Sequence, residues 1–387
     1  MASPRRSAFR ARSSFNLTQP SMLVFSGGTA FNGVVEELKK LTTQVAHVLP
    51  VSDDGGSTAE IVRVLAVHDG RTSVEGEHSL WKGVSQPYRE TIRTFLAYFQ
   101  NEILRRATAC FCFSNGSIGN FFFAGARIFF QSLDAAIFLF SRVSDIPTES
   151  LVLPVISSND RLTLGCELWD GTIIRGQNEI SHPCNGSMAL IKKEFSSVPT
   201  LPSRIKRVFY MSSEGRNLLH EVFPKVNPAV LEQLNKVECV VYAMGSLFTS
   251  ICPSLVLLGV GEVIASRSCP KVLLLNGSHD RETVGFSASD FVTAITDALN
   301  RTYGDPHNSL SNSPGDYINA LVVPKDGRVR VDLESLATRG IFHVVCADSM
   351  HDPNLGILFE PKSLIQALAD VIFEYKNTHP ADVIDCH

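Results

Sequence analysis

Residues 22–40 read MLVFSGGTAFNGVVEELKK, and residues 45–57 read VAHVLPVSDDGGS. The first stretch opens on an apolar run, Met22 to Ser26, that breaks into Gly27-Gly28-Thr29. Phe31, Val34, Val35 and Leu38 then recur at helical spacing, and Lys39-Lys40 follow where cations suit a helix C-terminus. The second stretch repeats the pattern. Val45 to Val51 is apolar, Asp53-Asp54-Gly55-Gly56-Ser57 form a polar glycine turn, and Ile61, Val62 and Leu65 begin another helix. Strand, turn and helix occur twice in succession. Strands that are apolar throughout and alternate with helices predict a parallel sheet covered on both faces. The expected fold is therefore α/β and Rossmann-like: a mostly parallel sheet with helices on both faces.

The rest of the chain extends this reading. Tyr88 to Arg106 carries Ile92, Phe95, Leu96, Phe99 and Ile103 on one helical stripe, and Ala109 to Phe113 reads as a strand. Ser114 to Asn120 is a second small-residue turn before a helix over Phe121 to Phe130, and Leu133 to Phe140 reads as another helix. Leu151 to Ile156, Leu162 to Leu168 and Thr172 to Ile180 look extended, with Asp170-Gly171 as a two-residue hairpin signal between the last two. Ser181 to Ser203 is rich in Ser and Pro and reads as a mobile segment, so residues 151–203 form a β-hairpin and mobile insertion. Val237 to Ala243 is a strand opening into Gly245-Ser246, and Lys271 to Leu275 is a strand ending at Asn276. Later strands fall at Ile318 to Val323 and Ile341 to Ala347, with helices at Ala288 to Leu299 and Leu364 to Tyr375. Residues 21–376 make one domain, between a basic tail over 1–20 that reads as disordered and a tail over 377–387.

Composition narrows the classes of function. The 387 residues carry 35 Lys+Arg against 39 Asp+Glu, and 44% are hydrophobic. That is too apolar for disorder, and no basic excess points to nucleic acid. The longest apolar runs fall far short of the ~18–20 residues of a membrane span. Nine cysteines show no Cys-x-x-Cys pair and read as reduced, mostly buried thiols rather than zinc ligands. The first 35 residues contain no acid and mix Arg with Ser, which fits either a disordered tail of a cytoplasmic protein or a plastid or mitochondrial transit peptide. The 24 Phe, against 7 Tyr and 2 Trp, suggest a large dry core. Consecutive phenylalanines at Phe121, Phe122 and Phe123, with Phe129 and Phe130, would surround a helix, which predicts a central position for it.

Four polar clusters sit at the C-terminal ends of predicted strands, where ligands of open α/β sheets bind. They are Gly27-Gly28-Thr29, Asp53 to Ser57, Ser114-Asn115-Gly116-Ser117 and Gly245-Ser246. Small residues let the backbone approach a phosphate, and the next helix offers free N–H groups. Neither Gly-Lys-Ser/Thr nor Gly-x-Gly-x-x-Gly is present. Asp53 and Asp54 are adjacent like charges that a cation or hydrogen-bond donors must hold, and magnesium with phosphate ligands suits one of them. The alternative is a turn or helix-cap duty for one aspartate, although Ser57 offers another cap. Asn276 precedes His279, Asp280, Arg281, Glu282 and Thr283, either a loop that closes on a ligand or a solvated surface loop.

At these residues the sequence resembles the CofD/YvcK family. The family's Gly-Gly-Thr-Gly stands here as Gly27-Gly28-Thr29-Ala30, its Asp-Asp-Gly-Gly-Ser is intact, and its Gly-His-Ser-x-Gly-Asn stands as Asn115-Gly116-Ser117-Ile118-Gly119-Asn120. Its Gly-Pro-Gly-Ser-x-x-Thr-Ser stands as Ala243-Met244-Gly245-Ser246-Leu247-Phe248-Thr249-Ser250, and its late elements match Asn276, Glu282-Thr283 and Ser287 to Asp290. The resemblance implies a magnesium-assisted transfer of a phospholactyl group from lactyl-diphospho-guanosine to the deazaflavin Fo, with release of GMP. It alternatively implies a non-catalytic UDP-sugar or nucleotide regulator of the YvcK type. It implies Asp53 and Asp54 as catalytic residues, Asp53 as magnesium ligand and Asp54 orienting the acceptor hydroxyl or assisting as base, and a ligand cradle of Gly27, Gly28, Thr29, Asn32, Gly55, Gly56, Ser57, Asn115, Ser117, Asn120, Gly245, Ser246 and Asn276. A homodimer is part of the family pattern. The chain departs from that pattern after Leu65, where Ala66 to Arg71 replace a Gly-Asp-Ile-Arg segment, and an inactive variant lacking it is a further expectation.

Overall fold

The structure, a computed structural model, describes residues 19–27, 31–51, 85–105, 118–143, 147–157, 162–183, 199–212, 218–353 and 355–378. Strands β1 (Met22–Phe25), β2 (Val45–Leu49) and β3 (Leu151–Pro154) come first. Next are β4 (Thr163–Leu168), β5 (Ile173–Arg175), β6 (Ile205–Ser212) and β7 (His220–Val222). The chain then forms β8 (Cys239–Tyr242), β9 (Lys271–Leu274), β10 (Ala320–Pro324) and β11 (His343–Ala347), and ends in a hairpin of β12 (Ser349–Asp352) and β13 (Gly356–Phe359). Among the described residues seven strands make one sheet in the order β11-β10-β9-β8-β1-β2-β3, and every pairing between them is parallel. The order runs outward from β1 in both directions, so the chain reverses its winding between β1 and β8.

The two faces follow from residue alternation along fully buried strands. Met22 and Val24 face one way, where α1 (Val35–Leu41) packs with Val34 and Leu38 beside the C-terminal helix Pro361–Thr378. Leu23 and Phe25 face the other, toward the helix Pro228–Lys236, the buried segment Leu247–Leu255 and the helix Ala288–Asn300. The connection after β1 thus leaves toward one face and the connection after β8 toward the other. Such a reversal opens a crevice at the C-terminal strand ends. The expected Rossmann-like α/β architecture is what the chain adopts.

A second sheet, β5-β4-β6-β7, is antiparallel and covers the Leu23 face. Its tip is the hairpin at Asp170-Gly171: Gly171 has φ +85°, Leu168 donates to the Thr172 carbonyl at 2.9 Å, and an Asp170 carboxylate oxygen accepts from the Thr172 amide at 2.9 Å. Two details differ from the sequence reading. Leu151–Pro154 pairs in parallel with β2 as the edge of the main sheet, so the insertion begins after it. The end of the supposed third extended segment, Gln177–Ser181, is a short helix.

The phenylalanine-rich helix also departs from expectation. It is α3 (Ile118–Phe130), packed between α2 (Gln86–Arg105) and α4 (Leu133–Val143), with α4 in turn against β3. Its buried cluster is Phe95, Phe122, Ala126 and Ala136, separate from both cores of the main sheet. Phe95 and Phe122 meet edge to face with centroids 5.3 Å apart, while Phe129 stays 58% exposed. The helix is peripheral: α2 and α4 hold it from two sides, and Phe129 and Phe130 are left exposed. Of the cysteines, Cys166, Cys239, Cys252 and Cys269 are buried free thiols and Cys346 is exposed; the remaining four lie outside the described residues. Among the described residues no single helix is long and apolar enough to cross a membrane.

Candidate functional site

Three strand ends are tied together at the winding reversal. The Ala243 amide continues the β1–β8 pairing by donating to the Phe25 carbonyl at 2.9 Å, which brings the two following turns side by side. A Cβ on Gly27 would lie 2.7 Å from the Ser250 Cβ, and one on Gly245 would lie 3.2 Å from the Gly27 carbonyl oxygen. The glycines are therefore required by the contact between the turns. Asn276, just past β9, holds Gly245 from both sides: its Oδ1 accepts the Gly245 amide at 3.1 Å and its Nδ2 donates to the Gly245 carbonyl at 2.8 Å. Its carboxamide is a clamp on the loop.

Glu282 completes the arrangement from the same loop. It is 3% exposed, and its Oε2 accepts the amides of Phe248 at 2.8 Å and Thr249 at 3.1 Å, while Oε1 meets the Thr249 hydroxyl at 2.6 Å. These amides open the Leu247–Ile251 element, whose first turn also closes through the Ser250 amide on the Ser246 carbonyl at 2.8 Å. A buried carboxylate thus takes two N–H groups that a Rossmann-like turn would present to a phosphate. Burial, with the Asp280 charge beside it, pushes the Glu282 carboxyl up to about 8. Asp280 is itself tied locally, its Oδ1 accepting the Glu282 and Thr283 amides and the Thr283 hydroxyl. Arg281 turns away and donates to the carbonyls of Pro199, Glu179 and Ile180, pinning the insertion to this loop. The polar loop after β9 is packed structure.

Of the residues expected at the site, Gly27, Gly245, Ser246 and Asn276 are brought together at the reversal. Asn32 lies on the 3-10 turn Asn32–Val34 leading into α1, and Asn120 in the first turn of α3. Gly28, Thr29, Asp53, Asp54, Gly55, Gly56, Ser57, Asn115 and Ser117 lie outside the described residues. Among the described residues there is no group of three or more His, Cys, Asp or Glu able to hold a metal ion. Sequence reasoning matched Glu282 to a family element but gave it no place at the site. The signal was there in an acid three residues after His279 in a chain with a buried strand on either side, but polarity argued for solvent.

The clamp is testable. Asn276→Asp removes the donor to the Gly245 carbonyl and sets a carboxylate against it, so we expect a loss of about 1–3 kcal/mol in urea unfolding. An unchanged midpoint would remove the clamp.

An open parallel sheet with two glycine turns meeting where the winding reverses defines a protein of the Rossmann-like α/β class. Comparison with known proteins gives the family. Residues 22–350 match the family model described as 2-phospho-L-lactate transferase CofD, and the chain belongs to that family. It is 28% identical over 411 residues to an uncharacterised protein of Saccharomyces cerevisiae, covering 81% of this chain and 92% of that one. It is 26% identical over 288 residues to the gluconeogenesis factor of Halalkalibacterium halodurans, covering 73% and 74%, and 24% identical over 332 residues to that of Bacillus subtilis, covering 84% and 89%. A crystal structure of a UPF0052 family member from Bacillus halodurans superposes with TM-score 0.58 at 21% identity, covering 90% of this chain and 99% of that one, and so shares the fold.

Proposed function

We propose that this chain binds a nucleoside-diphosphate-linked small molecule in the crevice between the ends of β1 and β8, as a regulator of the kind its gluconeogenesis-factor relatives are named for. The observation that carries this is the contact between the Gly27 and Gly245 turns, held by Asn276 and Glu282. It gives a rigid, small-residue floor at the position where open α/β sheets take such ligands. With Phe248 and Thr249 amides committed to Glu282, phosphate recognition falls to the Gly27-Gly28-Thr29 turn and to Ser246. Calorimetry with UDP- and GDP-linked ligands, and mass spectrometry of what the purified protein carries, test it. Absence of any nucleotide by both methods would end this reading.

The intact Asp53-Asp54-Gly55-Gly56-Ser57 sequence after β2, the strand beside β1, favours a second reading. In it Asp53 would hold magnesium, which would supply charge neutralisation for a diphosphate, and Asp54 would orient the acceptor hydroxyl of Fo for the family's phospholactyl transfer. Donor, Fo and magnesium should then yield GMP with the wild type and at least ~100-fold less with Asp53→Ala. Equal silence of both leaves the binding reading alone.

A further inference from the structure

A cavity of about 480 Å³ lies away from the crevice, between the antiparallel sheet and the helix Ala288–Asn300. That volume falls inside the roughly 300–1,000 Å³ of small-molecule sites. The helix is anchored at its C-terminal end. Asn300 accepts from the Tyr317 hydroxyl at 2.8 Å, and Tyr317 stands just before β10 begins. Arg301 and Tyr303 line the cavity, and its walls are mostly apolar, among them Val208, Tyr210, Val222, Phe248, Cys252 and Ala294.

Most charges around it are paired or capped; among the described residues the exceptions are Lys225, which is exposed, and the half-buried Asp297. Arg207 is paired with Glu167 and Glu221, each at 2.7 Å, Lys206 with Glu167 at 2.8 Å, and Arg301 with Glu262 at 2.6 Å. Asp305 caps its own turn by accepting from His307 and Asn308. Asp297 lines the cavity with no ion pair among the described residues, and the hydrogen bond it receives, from the Thr302 hydroxyl, is long at 3.3 Å. Burial raises its carboxyl, with no cation opposing. An apolar chamber with a half-buried carboxylate that meets no cation, the unpaired Lys225 being exposed, selects an apolar body bearing one positive group at Asp297.

We propose that this cavity is a second binding site, separate from the crevice, for a compact apolar amine whose ammonium meets Asp297. Three probes share one aromatic body: naphthylmethylamine, neutral naphthylmethanol and naphthylacetate. Titrated into the full chain by ligand-observed NMR, the amine should bind at least about tenfold tighter than the carboxylate. Asp297→Asn should bring the two within about twofold while leaving naphthylmethanol unchanged. Ala294→Phe, which fills the chamber, should abolish binding of all three, with circular dichroism reporting whether that variant folds. If it does not fold, the Asp297→Asn comparison decides alone. No amine binding by the wild type, equal binding of amine and carboxylate, a preference that survives Asp297→Asn, or binding that survives in a folded Ala294→Phe protein would each overturn the proposal.

Discussion

Glu282→Ala is expected to destabilise the fold by about 2–5 kcal/mol, because it strands the buried amides of Phe248 and Thr249 and the Thr249 hydroxyl without partners. Glu282→Gln is expected to lose less than about 1.5 kcal/mol at neutral pH. A glutamine oxygen accepts both amides, and its Nε2 donates to the Thr249 oxygen, much as a protonated carboxyl would. The pair of variants also carries a pH signature. The folded-state value of about 8 stands above the ordinary 4.5, so the native protein holds this proton more tightly than the unfolded chain. Stability from this group is then complete below 4.5 and lost as pH rises through about 8. Urea unfolding at several pH values should show the wild type's advantage over Glu282→Gln shrinking toward pH ~9, since other titrations are common to both proteins. An advantage that grows with pH would mean that the two amides and the hydroxyl outweigh burial, and that Glu282 is a permanent anion.

How far the sequence could be read depended on whether a feature was local. β1, the glycine turn, α1 and β2 announce themselves because an apolar run, a small-residue break and a helical stripe lie within 28 residues of one another, Met22 to Leu49. The Asp170-Gly171 hairpin is equally local, since the turn geometry is set by a residue that tolerates φ +85°. Which sheet an apolar run joins is not local. Leu151–Pro154 looks like the first strand of the insertion, yet it pairs with β2, Leu151 opposite Ala46, and just before the strands the Ser150 hydroxyl donates to the Thr43 carbonyl at 2.8 Å. The hairpin of β12 and β13 escaped notice because Ser349–Asp352 is polar and half exposed, with no alternation to mark it. The central position expected of α3 failed for a related reason: ring coverage by phenylalanine says that a helix has partners on some sides, and gives no information on how many. At the site, the glycines were found by composition, whereas the roles of Asn276 and Glu282 depend on what they touch. A side chain spent on holding Gly245 and one spent on ligand have the same letter.

Gly27→Ala is expected to weaken nucleotide binding at least about 100-fold and to destabilise the fold by about 1–3 kcal/mol. The added methyl would sit 2.7 Å from the Ser250 Cβ and 3.0 Å from its Cα, so rotating the serine side chain does not relieve it. Ser250 cannot easily retreat, because it is buried, its amide is bonded to Ser246, and Thr249 next to it is anchored by Glu282. The strain must therefore move the β1 turn away from the β8 turn, which spreads the crevice. Gly33→Ala is the control: nothing lies within 4 Å of a Cβ there, and the residue is on the short helix after the same turn, so stability and binding should hold. The decisive variant is Gly27→Ala combined with Ser250→Gly. Removing the serine Cβ takes away the shortest contact, so the double variant should recover more than about 1 kcal/mol relative to the sum of the single effects. Additive losses would show that Gly27 is required for a backbone conformation or a ligand contact of its own, and that the meeting of the two turns does not set the crevice.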